Sequence, residues 1–418
     1  MLQYVWKHRL FSEAEFCTTD GKPVFVIDPG ISNNDAGPDF FNAKIRIGET
    51  VWAGNVEIHE RSSDWYNHRH QFDKLYDTVI LHVVRHHDTA IYRTNGDTIL
   101  QAVLIVPDTI ERNIEWLLSR DTPVSCAERI ASVSSLHLSA WLSALLMERL
   151  ERKTDDMFVR LKNNFNDWNE IFYLTLTRNF GFNVNGDAFE RLAASLPYKH
   201  ILKHRTNPVQ IEALFFGQAG LLQADGDDSY LQLLRREYDF LRKKYNLHPV
   251  DSFLFKMLRI RPVNFPHVRL AQLAAVWIKH DVLFSKILES ENMKEVRAFF
   301  DVEPSDYWLT HYRFTITSER KSKSVGGYAA DIILVNTAIP TLFAYGKYTN
   351  RQEYCERALR WLEEIAPEKN SIVTLFRQLG MPVKNAGDTQ ALIQLRREYC
   401  ELKKCLYCRI GFRVIGYS

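Results

Sequence analysis

No apolar run in this chain is long enough to cross a bilayer, which argues against a spanning segment. There is no low-complexity linker and no internal repeat, so a disordered tether and a solenoid are both set aside. The first residues, Met1-Leu2-Gln3-Tyr4-Val5-Trp6-Lys7-His8-Arg9, lack the apolar core of a secretory signal. Charge of one sign is also missing. Lys and Arg number 53 against 51 Asp and Glu, a formal charge of +2. A balance that mild does not argue for nucleic acid by itself, and only a local basic patch would do so. Cysteine is scarce, with six in 418 residues. These absences predict a cytoplasmic protein without a membrane partner. Disulfides are not expected there, so the thiols need another account. Nothing in the sequence indicates the oligomeric state.

What is present is an ordinary globular composition, 46% hydrophobic and 25% charged, over a length that suits two to three domains. The first ~110 residues alternate short β-like runs with turn signals. Lys22 to Ile27 reads as a strand. Two hairpin strands follow around Gly48-Glu49-Thr50, and Trp65 to Asp77 reads as a helix. Thr78 to Val84 is a nearly continuous apolar strand, of the kind buried on both faces. Ile91-Tyr92 and Ile99 to Val106 add β-like runs about the Asn95-Gly96-Asp97 turn. After Pro107 the pattern turns helical: Leu136 to Leu161, Asp167 to Phe180, Pro208 to Gly217, Ser229 to Tyr245, Arg269 to Leu288, Ala329 to Tyr345, Glu353 to Ile365 and Thr389 to Leu402. The expected fold class is α+β. A mixed-sheet α/β domain over 1–110 is followed by a mostly α-helical region over 111–418, with the boundary near Pro107 to Pro123.

The chemistry concentrates on the hairpin. Gly37-Pro38-Asp39-Phe40 puts a carboxylate at the start of one strand, and Glu57-Ile58-His59 lies on the next. If the strands pair, Asp39 and Glu57 meet at one end of the sheet. Two converging carboxylates beside a third polar group suit Mg²⁺ or Mn²⁺. A second set follows at once: Asp64, His68, His70 and Asp73, with His82 inside the apolar strand. On a helix, Asp64 and His68 lie one turn apart, as do His70 and Asp73. Such imidazole–carboxylate density suits Zn²⁺, Mn²⁺ or Fe²⁺ better than Mg²⁺. Each group also has an ordinary alternative: a solvated strand face for Glu57 and His59, a wet helix surface for His68, His70 and Asp73, and a hydrogen-bonded core imidazole for His82.

Two further motifs stand apart. Cys400, Cys405 and Cys408 place three thiols in nine residues, and Cys405-Leu406-Tyr407-Cys408 has the knuckle spacing of zinc and iron–sulfur sites. Cys126, in Thr122-Pro123-Val124-Ser125-Cys126, is the first choice for a fourth ligand, ahead of Cys17 and Cys355. The alternative is a set of reduced thiols that merely pack. Arg259-Ile260-Arg261-Pro262-Val263-Asn264-Phe265-Pro266-His267-Val268-Arg269 combines Arg, His and an aromatic in a proline-stiffened stretch. Guanidinium groups match phosphate oxygens in a two-pronged way, so Arg259, Arg261, Asn264 and Arg269 are the candidate contacts to nucleic acid. The stretch can equally be a surface loop with internal ion pairs.

The order Asp39, hairpin, Glu57-x-His59, helix, buried strand resembles the β-β-α-β core of the PD-(D/E)XK nuclease superfamily over about a quarter of the chain. That resemblance implies Asp39 and Glu57 as ligands of the divalent cation and His59 in the place of the superfamily's catalytic Lys. Some nucleases of that superfamily also carry one distant and three C-terminal cysteines, at spacings other than these. The whole chain further resembles an uncharacterised bacterial domain-of-unknown-function family. The residues that carry this likeness are Asp35-Ala36-Gly37-Pro38-Asp39-Phe40, Gly54-Asn55-Val56-Glu57-Ile58-His59, Asp64-Trp65, Leu81-His82-Val83-Val84, Arg261-Pro262-x-Asn264-Phe265-Pro266 and the terminal Cys-Leu-x-Cys. That family brings no activity with it. The expectation is a metal-dependent phosphodiesterase acting on nucleic acid, with catalytic Asp39, Glu57 and His59. The rivals are a non-catalytic nucleic-acid-binding protein that keeps the nuclease fold, and a His/carboxylate metal hydrolase of another substrate.

Overall fold

The architecture follows from one hairpin that continues into parallel strands. The structure, a computed structural model, describes residues 1–33 and 35–416. The chain divides into two units. One runs from Met1 to Leu138 and includes the C-terminal stretch from Arg396; the other is Ser139–Leu395. The fold is α+β, as the sequence implied, with a mixed sheet first and a mostly helical region after it.

The first unit is built on strands β1 (Val24–Asp28), β2 (Ile31–Ser32), β3 (Phe40–Ile47), β4 (Thr50–Arg61), β5 (Val79–His86) and β6 (Gln101–Val103). Their order is β1-β3-β4-β5-β6, with β2 paired to β3 off the path. Strand β3 runs antiparallel to both of its neighbours, β1 and β4, whereas β5 runs parallel to β4 and β6 parallel to β5. The switch has a simple cause: Gly48-Glu49 closes β3 onto β4 as a tight hairpin, but β4 reaches β5 only by a crossover long enough to reverse direction.

Period-two alternation sends Val56 and Ile58 of β4, with Leu81 and Val83 of β5, to one face. There they share a core with Val5 and Trp6 of helix α1 (Leu2–His8). That core also takes in Ile114 and Leu117 of the helix at Asp108–Ser119. The other face of the same strands carries Glu57, His59 and His82, all buried. Glu57 and His82 are register partners, so their side chains leave the sheet on the same side. Gly54 lets β5 close on β4 here, since a Cβ at that position would overlap the Ile80 side chain.

The expected helix over Trp65 to Asp77 is not one helix. A single turn, α2 (Asp64–Asn67), ends at His68, and Arg69 takes the left-handed conformation at φ 63°. Two 3₁₀ turns, His70–Phe72 and Lys74–Thr78, complete the crossover. Asp73 caps the second of them, its Oδ1 accepting from Leu75 N–H at 2.9 Å.

The second unit is helical, apart from a two-stranded ribbon of His311–Arg313 with Ile316–Thr317. Three long sequence patterns are interrupted. Arg269 to Leu288 divides into helices Pro266–Lys279 and Leu283–Glu289. Ala329 to Tyr345 divides into Gly327–Asn336 and Ala338–Thr349, and Thr389 to Leu402 gives way after Gln394 to a π turn, Leu395–Cys400. The first two breaks fall at polar residues, His280-Asp281 and Asn336-Thr337, between apolar stretches. The expectation that no run is long enough to cross a bilayer does not hold: the Gly327–Thr349 span is long and apolar enough by length and composition, and 67% of its apolar window is buried inside the protein.

Candidate metal centre

Three elements bring imidazoles to the polar face of β4. His59 is on the strand itself, His68 ends α2, and His70 opens the next turn. On a continuous helix, residues two apart point to nearly opposite sides. The left-handed Arg69 between them reverses the chain, so His68 and His70 both face His59. One ring nitrogen from each lies within 4.8 Å of the other two. His68 Nδ1 stands 3.1 Å from His59 Nε2. Glu57 Oε1 approaches His59 Nε2 at 3.3 Å and His70 Nε2 at 3.5 Å. Ligand atoms of a tetrahedral ion held at ~2.0–2.1 Å stand ~3.4 Å apart, so these spacings are those of co-ligands. His59 and His70 are 8% exposed and Glu57 5%, while His68 is exposed and marks the open side.

The protons on this network follow from one amide. Gln101 Nε2 donates to the Thr89 carbonyl at 3.0 Å, which leaves its Oε1 facing His82 Nδ1 at 3.4 Å. His82 therefore carries its proton on Nδ1, and its Nε2 accepts from His59 Nδ1 at 2.9 Å. His59 Nε2 is left with a lone pair directed at His68 and Glu57. Complete burial pushes His82 down to about 3, so it stays neutral in this relay. For Glu57, burial pushes the carboxyl up. When the facing His59 and His70 rings carry protons, they and the Asp39 N–H outweigh that and hold the carboxyl at about 2. A hydrogen on His68 Nδ1 would satisfy the imidazole pair alone. It would leave the Glu57 oxygen against the same lone pair, and His70 Nε2 has no hydrogen-bond partner. The three ring nitrogens of His59, His68 and His70 could hold one cation, with the Glu57 carboxylate beside two of them.

Aromatic rings fix the ligands. Tyr76 stacks on His70 at 3.7 Å between centroids, and Trp65 meets His70 and His82 edge-on. Burial and the nearby Glu57, Asp73 and Asp39 carboxylates push the Tyr76 hydroxyl up to about 12.

Asp39 lies beside Glu57, but its oxygens are engaged elsewhere. Oδ2 accepts from Ile58 N–H at 3.0 Å and Oδ1 from Gln3 Nε2 at 2.6 Å, while Asp39 N–H donates to Glu57 Oε2 at 3.0 Å. Burial and the Glu57 charge raise its carboxyl above the usual range. The pair thus clasps the ends of β3 and β4, with Glu57 turned to the histidines. Asp73 is spent on its turn, as described. His82 and Gln101 are the positioning residues that sequence did not resolve: His82 was open between core and ligand, and Gln101 carried no signal.

The Arg259–Arg269 stretch divides. Arg259, Arg261 and Asn264 are exposed, whereas Arg269 is buried. Its guanidinium donates to Gln272 Oε1 (2.9 Å) and Asn264 Oδ1 (2.6 Å) and lies over the Phe182 ring. Cys126, Cys400, Cys405 and Cys408 all belong to the first unit, whereas Cys355 is buried in the second.

The chain belongs to the family described as proteins of unknown function, DUF2851, whose family model matches residues 1–371. The match takes in every residue of the imidazole centre and stops before Cys400. No curated protein and no solved structure matches the chain.

Proposed function

We propose that this member of the DUF2851 family is a metal-dependent hydrolase of phosphodiesters, with nucleic acid as the substrate class. Its ion is held by His59, His68 and His70 with Glu57 as the carboxylate. The observation that carries the reading is the Gln101–His82–His59 relay, which orients the His59 ring toward two more imidazoles, with a carboxylate beside them. A donor set rich in imidazole suits Zn²⁺ or Mn²⁺ in preference to Mg²⁺. A bound ion would supply Lewis-acid polarisation of a phosphoryl oxygen and a more acidic water.

The chain's own residues supply the rest. His59 and His70 hold the buried side, and His68 leaves the solvent side open to substrate. Asp39 keeps Glu57 in place through its backbone N–H. The substrate class is supported by the sheet order, an antiparallel hairpin followed by a parallel crossover strand, which is the arrangement expected for the nuclease-like likeness.

The test is the purified chain loaded with Zn²⁺ or Mn²⁺ and offered an activated phosphodiester and single- and double-stranded DNA and RNA. Hydrolysis should require the metal and be lost in Glu57→Gln and His70→Ala together with metal binding. Tight metal binding that depends on these residues, with none of the substrates cleaved, would overturn the hydrolase reading and leave a non-catalytic metal protein. Loss of neither metal nor activity in the variants would overturn the site.

A further inference from the structure

The C-terminal stretch carries the second cluster of ligating side chains, outside the imidazole centre. Cys400 ends the π turn, Cys405 opens a 3₁₀ turn (Cys405–Tyr407), and Cys408 caps the C-terminal helix Arg409–Ile415. Specific bonds lay this stretch beside the segment that carries Cys126. Arg396 donates to the Pro123 carbonyl at 2.9 Å, Lys403 Nζ to the Arg120 carbonyl at 2.6 Å, and Asn113 Nδ2 to the Ile415 carbonyl at 3.0 Å. Cys126 and Cys405 pack against the same apolar core. Ser125 lies beside Cys405. Gly411 is needed for this fit, because a Cβ there would overlap the Cys405 carbonyl.

The four thiols lie on these adjoining segments, with their sulfurs further apart than co-ligands of one ion. Cys126 feels the charges of Cys408 and Cys405, and Cys400 those of Cys408, Cys126 and Cys405. All six cysteines of the chain are reduced. The Tyr4 hydroxyl is buried without a partner, close enough to sense Cys408. An O–H donor with nothing to donate to, next to a sulfur, is what a thiolate would satisfy. Lys403 and Arg396 bring positive charge beside Cys405 and Cys400 respectively.

We propose that Cys126, Cys400, Cys405 and Cys408 form a four-thiolate structural site for one Zn²⁺ ion, which locks the C-terminal stretch onto the first unit. The donor set is soft and complete, with no position left for water, which is the pattern of a structural and not a catalytic zinc. Binding converts four thiols to thiolates, releases their protons and leaves a net charge of −2, which Lys403, Arg396 and the Tyr4 hydroxyl offset. To share one ion at ~2.3 Å, the sulfurs draw in to ~3.8 Å of one another. The tail, tied by only a few bonds, is the part that moves. Closing a loop from Cys126 to Cys400 constrains a long stretch of unfolded chain, so the ion stabilises the fold.

The full chain, purified under reducing conditions, should hold one Zn²⁺ that survives His68→Ala/His70→Ala, which empties the imidazole centre. Titration of the thiols with a mercurial should release that ion. Cys405→Ser and Cys126→Ser should each lose one zinc per chain, and Cys355→Ser should keep it. Cobalt substitution should give thiolate-to-metal charge-transfer bands in the wild type and not in Cys405→Ser. If a cysteine variant fails to fold, alkylation of the wild type decides: the four thiols should be protected until a chelator is added. A chain free of zinc, with all four thiols alkylated at the same rate with and without chelator, overturns the site. Iron with labile sulfide in place of zinc overturns the zinc assignment.

Discussion

The relay behind His59 is the sharpest point at which to test the metal centre, because His82 touches no proposed ligand atom on the ion's side. His82→Phe keeps a buried ring and removes both nitrogens. His59 Nδ1–H then loses its acceptor, and the Gln101 oxygen its donor. A buried donor left unpaired costs about 1–3 kcal/mol, and His59 can recover part of it by rotating or changing tautomer. Either response moves the lone pair away from the ion. Losing an orienting partner of this kind weakens metal affinity ~10–100-fold, which is about 1.4–2.7 kcal/mol. The assay is equilibrium competition for Zn²⁺ or Mn²⁺ against a chromophoric chelator. Thermal unfolding monitored by circular dichroism confirms that the variant is folded. His59→Ala, which deletes a ligand, should lose far more. Gln101→Leu should fall between wild type and His82→Phe, because His82 keeps its bond to His59. If His82→Phe binds metal as tightly as wild type while His59→Ala does not, the relay does not orient His59 and the tautomer argument is wrong.

Asp73→Ala should leave metal affinity unchanged and cost about 1 kcal/mol of stability, the loss of one capping bond, read from chemical denaturation. Burial holds His267 down at about 4, so above pH ~6.5 both folded and unfolded states are neutral there. As pH falls from ~6.5 to ~4 the unfolded chain takes up a proton that the folded one refuses, and stability falls by up to about 3 kcal/mol. His267→Phe should flatten that part of the urea-midpoint profile, and an unchanged profile would place the acid sensitivity elsewhere. Arg269→Ala should destabilise the helical unit by about 2–4 kcal/mol, since it strips a buried charge-assisted network. Arg261→Ala should change stability by less than about 0.5 kcal/mol and should weaken nucleic-acid binding, which filter binding at fixed salt would measure.

The α+β class and the β3–β4 hairpin were legible in the residues because they rest on local physics. Alternating apolar positions select a face, and a short turn sets the register that brings Asp39 to Glu57. Helix starts were legible for the same reason: Asp167 and Asp228 cap Trp168–Phe180 and Ser229–Tyr245 through their own neighbours' N–H groups. The density of imidazole and carboxylate between His59 and His82 was visible too, but its geometry was not. A helix over Trp65 to Asp77 is the better local reading, and it would have separated His68 from His70. The left-handed turn at Arg69 costs energy that a local sequence signal does not favour; it occurs in company with Trp65 and Tyr76, which pack around His70 once β5 is in place. The proton order depends on Gln101, forty-two positions from His59 and joined to it only through the parallel pairing of β5 with β6. The tail cysteines announced themselves by spacing. Their neighbourhood with Cys126 is set by bonds from Arg396 and Lys403 to carbonyls more than 270 positions away, and no local pattern encodes such contacts. Sequence by itself determined which side chains are available for chemistry and which strand faces present them; only the tertiary structure decided which of them come together, because that depends on where backbone far apart in the chain comes to rest.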